Sequence, residues 1–170
     1  MIEIHILGEK IFSTSPHAFS LQEESWFGEK KEGKVEYSLL EAVFLVSQRK
    51  ALIISNKKQV TAIELIKKAK KNDKRTEIKS TVYSDLRRKG YIVKSALKYG
   101  ADFRVYNKGV KPSEDHARWI VFATNENEKI NWQDFAAKNR IAHSTKKNLL
   151  LAIVDQESDV SYYEISWLRP

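Results

Sequence analysis

The chain has 170 residues and a mass of 19.7 kDa, enough for one ordinary domain or two small ones. Its 42% hydrophobic and 11% aromatic content excludes disorder throughout, and the absence of cysteine excludes disulfides, thiolate metal sites and a cysteine nucleophile. The formal net charge is +8, and residues 57–94 hold 13 Lys or Arg against 4 Asp or Glu, so the positive charge is localised, as on a polyanion-binding surface or a solvated helix face.

Residues 2–6 alternate, with Ile2, Ile4 and Ile6 on one side, and read as a strand. Residues 11–26 mix strand and turn signals, and residues 28–33 read as a charged turn between two glycines. Ser38-Leu39-Leu40-Glu41 is a capping box opening a helix to about Val46. Residues 51–54 suggest a short strand. A helix over 61–71 follows, with Val60, Ile63, Leu65, Ile66 and Ala69 as its apolar face. A small N-terminal α+β domain over 1–72 is therefore expected, with 73–82 as a linker. The domain over 83–170 opens with a helix, 83–89, stopped by Gly90. Strands are expected at 91–97, 102–106, 116–124 and 160–168, and a buried central strand within 147–155. A helix at 132–139 completes an α/β (α+β) chain whose second domain is a mixed, nuclease-like sheet with flanking helices.

No glycine-rich phosphate loop and no Gly-x-Ser-x-Gly elbow is present. His5, His17, His116 and His143 are widely spaced, and no metal site or cofactor is expected. Glu77-Ile78-Lys79 matches half of a magnesium nuclease motif, a pattern that a lysine-rich chain produces by chance. A metal-free alternative uses the RNA's own 2′-hydroxyl as nucleophile. It needs a base for that proton, an acid for the departing 5′-oxygen and a cation for the charged phosphorane. His, Tyr and Lys can fill these roles.

The second half supplies such a set within recognisable blocks. Tyr83-Ser84-Asp85-Leu86-Arg87-Arg88-Lys89-Gly90-Tyr91-Ile92-Val93-Lys94, then Lys98-Tyr99-Gly100-Ala101-Asp102-Phe103-Arg104-Val105-Tyr106, resembles the archaeal tRNA-splicing endonucleases. The likeness continues in His116-Ala117-Arg118-Trp119-Ile120-Val121, in Arg140-Ile141-Ala142-His143-Ser144-Thr145-Lys146-Lys147, and in Leu149-Leu150-Leu151-Ala152-Ile153-Val154-Asp155. The resemblance implies metal-independent cleavage of precursor tRNA at both intron boundaries, in a bulge–helix–bulge fold, leaving 2′,3′-cyclic phosphate and 5′-hydroxyl ends, with a non-catalytic structural or RNA-binding subunit of such an endonuclease as the alternative. It places the general base at Tyr106, the general acid at His116 and the phosphorane-binding cation at Lys147. Ser144-Thr145-Lys146-Lys147 stands where family members often carry an Arg before the lysine, and Ala117 where Ser is common. Lys146 competes with Lys147, and on an extended segment only one of two neighbours reaches a given face. His143 reads as structural, bonding backbone near the site.

Arg140 resembles an arginine that stacks on a bulge base, with a helix-end arginine as the alternative. Trp167 is a second stacking candidate or a core tryptophan. Two cuts on one RNA require two sites, and this chain carries one set, so self-association is expected. By resemblance, Asp155, Glu157 and Asp159 form an acidic loop that docks on a partner subunit. A homotetramer is favoured, with a heterotetramer containing a structural subunit as the alternative. The final strand and residues 149–154 are expected at an apolar dimer seam. Met1-Ile2-Glu3-Ile4-His5 has neither a basic start nor a long apolar run, so no signal peptide, no membrane association and a cytoplasmic (intracellular) location are expected. High Lys and Glu content points weakly to a thermophile.

Overall fold

The computed structural model describes all 170 residues and divides into two units, Met1–Ser80 and Thr81–Pro170. The first contains β1 (Ile2–Leu7), β2 (Lys10–Ser13), α1 (Pro16–Ser25), β3 (Glu29–Lys31), β4 (Lys34–Glu36), α2 (Leu39–Ser47), β5 (Ala51–Ser55), β6 (Lys58–Val60) and α3 (Ala62–Lys70). Its six strands lie in the order β3-β4-β2-β1-β5-β6, with β1 and β5 parallel and the other neighbours antiparallel. Alternation along β1 buries Ile2 and Ile4, and the register sets Ile4 beside the buried Ile53.

The capping box at α2 forms as expected. Ser38 Oγ accepts the Glu41 N–H, and the Glu41 carboxylate accepts the Ser38 N–H at 2.8 Å. Its other oxygen accepts the Gly28 N–H at 2.9 Å. Gly28 has φ +73°, and a Cβ there would lie 2.5 Å from Val35 Cγ1 and 2.7 Å from the Glu36 carbonyl oxygen, so only glycine fits.

Several sequence expectations need correction. Residues 11–26 contain α1, started by Pro16 and buried only at Ala18. The charged turn at 28–33 is a hairpin, β3 to β4. Val60 belongs to β6. Ile63 is exposed, because α3 buries Leu65 and tucks Ala62, Ile66 and Ala69 on the i, i+3, i+4, i+7 face. Most of the expected linker 73–82 is helical, since α4 (Thr76–Arg88) begins there, with the Asp73 carboxylate accepting the Arg75 N–H.

The second unit takes in the end of α4, β7 (Val93–Ser95), a 3-10 turn at Leu97–Tyr99, β8 (Phe103–Val105), β9 (Trp119–Asn125), α5 (Trp132–Ser144), β10 (Asn148–Val154) and β11 (Val160–Ile165). The sheet order is β11-β10-β9-β8-β7. Only β9 and β10 are parallel, joined by a crossover through α5. The central strand is therefore β9, and β10 lies between it and the edge strand β11. Ala96, Ala101, Ile120, Phe122, Ala142 and Leu149 form a buried core between sheet and α5. The buried Asp102 carboxylate accepts the Ala123 N–H at 2.8 Å, fixing the start of β8 against β9. Leu149, Leu150, Ala152 and Val154 are buried in this unit's own sheet, whose two edge strands are β11 and β7.

Candidate active site

Antiparallel register pairs Val105 with Trp119, and parallel register pairs Trp119 with Asn148. One residue beyond each, at the same end of the sheet, stand Tyr106, Arg118 and Lys147. The backbone remains tied there. The Arg118 N–H donates to the Val105 carbonyl at 2.9 Å, and the Asn148 N–H donates to the Arg118 carbonyl at 3.0 Å. Neighbouring strands run about 4.8 Å apart, so the Tyr106 and Lys147 backbones stand roughly 10 Å apart with Arg118 between them. His116 precedes this row by two residues on the chain leading into β9. Topology thus brings one phenol, one imidazole and one ammonium, from three separate stretches, to one sheet end.

Each is held differently. Tyr106 is 4% exposed, and its N–H donates to the Ile92 carbonyl at 3.1 Å. His116 was expected to open a strand but sits on an exposed loop, because pairing of β9 begins only at Trp119. Its N–H donates to Asp115 Oδ1 at 2.6 Å. The segment around Lys146 and Lys147 is not extended, as the sequence reading assumed, but a helix cap. Lys146 takes φ +55° and is exposed, and the Lys147 N–H bonds back to the Ala142 carbonyl at 2.9 Å. Lys147 is half-buried, and its Nζ donates to the Thr145 carbonyl at 2.8 Å.

A second tyrosine lies in the field of these cations. A hydrogen bond from Lys98, with the charges of Lys98, Arg104 and Lys147, holds the Tyr99 phenol below its ordinary value. Beside the row, Glu164 of β11 accepts from Trp119 Nε1, from Arg118 Nη2 at 3.1 Å and from Asn148 Nδ2 at 3.0 Å. The Trp119 bond first, then Arg118 and Asn148, holds the Glu164 carboxyl below the usual carboxylate range. Sequence reading found neither cluster. Glu164 lies 46 residues from Arg118 in the chain, and only the strand register joins them.

Arg140 is exposed on α5. Trp167 is 52% exposed, which removes the core-tryptophan alternative. Its ring meets His143 at 4.2 Å, and the Arg169 guanidinium lies 5.4 Å from its centroid. His143 is therefore an exposed aromatic partner, not a backbone-bonding histidine. Asp155 shapes the β10–β11 turn, its Oδ1 accepting the N–H groups of Glu157 and Asp159, each at 2.9 Å. Glu157 and Asp159 are exposed. No three His, Asp or Glu side chains gather as a ligand set. Glu77 pairs with Lys70, and Lys79 with Asp73, on the surface. No helix is long and apolar enough to cross a membrane.

The family model for the tRNA intron endonuclease catalytic C-terminal domain matches residues 76–162. The chain belongs to the tRNA intron endonuclease family. It is 39% identical to the tRNA-splicing endonuclease of Thermococcus gammatolerans over 170 residues, 99% of each chain. It is also 39% identical to that of Pyrococcus abyssi, covering 99% of this chain and 98% of that one. Identity to the Methanothermobacter thermautotrophicus enzyme is 34%, over 96% of each chain. The matched endonuclease domain starts at the first residue of α4 and spans Tyr106, His116, Arg140, Lys147 and the acidic turn, while Trp167 lies beyond it.

Proposed function

We propose that this chain is a tRNA-splicing endonuclease that cuts precursor tRNA at both intron boundaries within a bulge–helix–bulge fold, without a metal ion. Tyr106 takes the proton from the 2′-hydroxyl, whose oxygen attacks the adjacent phosphorus. Lys147 offsets the negative charge on the phosphorane. His116 gives its proton to the departing 5′-oxygen, leaving a 2′,3′-cyclic phosphate on one fragment and a 5′-hydroxyl on the other. Arg140 and Trp167 bind the bulged RNA, and the chain self-associates, as a homotetramer, to present two sites to one substrate. The observation that supports this reading is the cross-strand row of Tyr106 and Lys147, with His116 two residues before it on the loop into β9, in a chain whose relatives are tRNA-splicing endonucleases.

The test is incubation of the purified chain with a bulge–helix–bulge RNA in excess EDTA, with chemical analysis of the product ends. Two cuts leaving cyclic phosphate are expected. A requirement for magnesium overturns the acid–base scheme, and no cutting by a folded chain points to an obligate partner subunit.

A further inference from the structure

The Arg118 backbone stands in the same cross-strand row as Tyr106 and Lys147, while its guanidinium reaches the Trp119 and Glu164 side chains beside that row, and the acid–base scheme gives it no task. Its guanidinium is unusually constrained for a side chain that is 46% exposed. One face lies over the Trp119 indole, 4.6 Å from the ring centroid. Two of its nitrogens are engaged at the edge, Nη2 with Glu164 at 3.1 Å and Nη1 with Asn107 Oδ1 at 3.4 Å. The indole is itself fixed, by its Nε1 bond to Glu164 and by the edge of Tyr91, 5.8 Å away at 82°. Lys108 lies over the Tyr91 ring at 5.0 Å. Arg118 is thus a flat, immobilised cation with one face packed and the other turned to solvent.

That arrangement distinguishes between RNA groups. A phosphate would have to compete with the Glu164 carboxylate for the guanidinium edge, and would meet that negative charge. A nucleobase needs only the open π-face, and stacking there disturbs neither edge bond. We propose that Arg118 is a base-stacking residue of the RNA site, receiving on its open face a nucleobase next to the cleaved bond, with Trp119 and Glu164 as positioning residues behind it. This rests on the reading of the chain as an RNA-cleaving enzyme.

The test uses the full chain and a bulge–helix–bulge RNA carrying a 2′-deoxy sugar at each cut, so that binding is read without cleavage. The fluorescent base 2-aminopurine is placed in turn at each nucleotide flanking one cut. Wild type is expected to quench one position. Arg118→Ala and Arg118→Lys, the second keeping the charge but not the planar face, are expected to lose that quench and bind about 5- to 150-fold more weakly, the range for one lost stacking contact. Absence of quenching at every flanking position in wild type, which needs no variant to fold, overturns the proposal. So does quenching that persists in both variants. Cleavage of the all-ribose RNA separates the two readings: if wild type cuts but quenching is independent of Arg118, only the stacking role falls. If wild type neither cuts nor binds, both fall.

Discussion

Two tyrosines and two lysines in the second unit allow the chemistry to be assigned by contrast. Tyr106 stands in the row with Lys147, whereas Tyr99 belongs to the turn beside α5. Tyr106→Phe is expected to remove most single-turnover cleavage and Tyr99→Phe to leave it near wild type; equal losses would mean that Tyr99, whose phenol is the one in the field of Lys98, takes part. His116→Ala is expected to slow cleavage by about 10²–10⁴-fold with RNA binding retained in a filter or mobility assay. Lys146 and Lys147 differ in backbone as well as position. The φ of +55° at Lys146 suits glycine, so Lys146→Gly is expected to raise stability by about 0.5–1 kcal/mol in denaturant melts and to keep cleavage, while Lys147→Ala loses it. Glu164 gives a pH signature. Its carboxyl titrates lower when folded than when unfolded, so its contribution is present above the unfolded value and lost as pH falls through the folded one. Melting temperatures of wild type and Glu164→Gln are therefore expected to converge as pH drops below about 4.

Among the elements, α2 is held at its start by a single buried carboxylate serving two backbone donors. Glu41→Ala removes both bonds, and a loss of about 1–3 kcal/mol is expected by chemical denaturation. That cap was legible because its residues are local, three positions apart, as were the strand β1 and the stop at Gly90. Helix α1 was not, since only Ala18 of its ten residues is buried and no apolar stripe marks the 3.6-residue period. The two short hairpin strands β3 and β4 carry three residues each, too few for alternation to show. At the site, the residue types and their blocks could be read from the chain, but their convergence could not. It depends on β9 and β10 being parallel, on α5 carrying the chain back, and on a register that sets Tyr106, Arg118 and Lys147 side by side. Arg118 and Glu164 were missed for the same reason.

On the scale of the molecule, the charge of +8 predicts that cleavage falls steeply as salt rises, because each phosphate contact releases counterions. Association is addressed by the acidic turn, where Asp155 must be treated apart from its neighbours because it holds the turn together. Glu157→Ala with Asp159→Ala is expected to lower the mass in light scattering without changing the melting temperature; an unchanged mass would end the docking role. That turn closes the far end of β10, a strand of seven residues and so about 23 Å long, while Lys147 begins the near end. Because β11 runs back antiparallel, Ile165 returns to Leu149, and Trp167 meets His143 at the end of the sheet where Lys147 stands. An affinity tag or dye fused after Pro170 is therefore expected to crowd the proposed RNA site, whereas a fluorophore at Ser158 stands at the opposite end of β10, on the turn proposed to dock, and is expected to leave that site unobstructed.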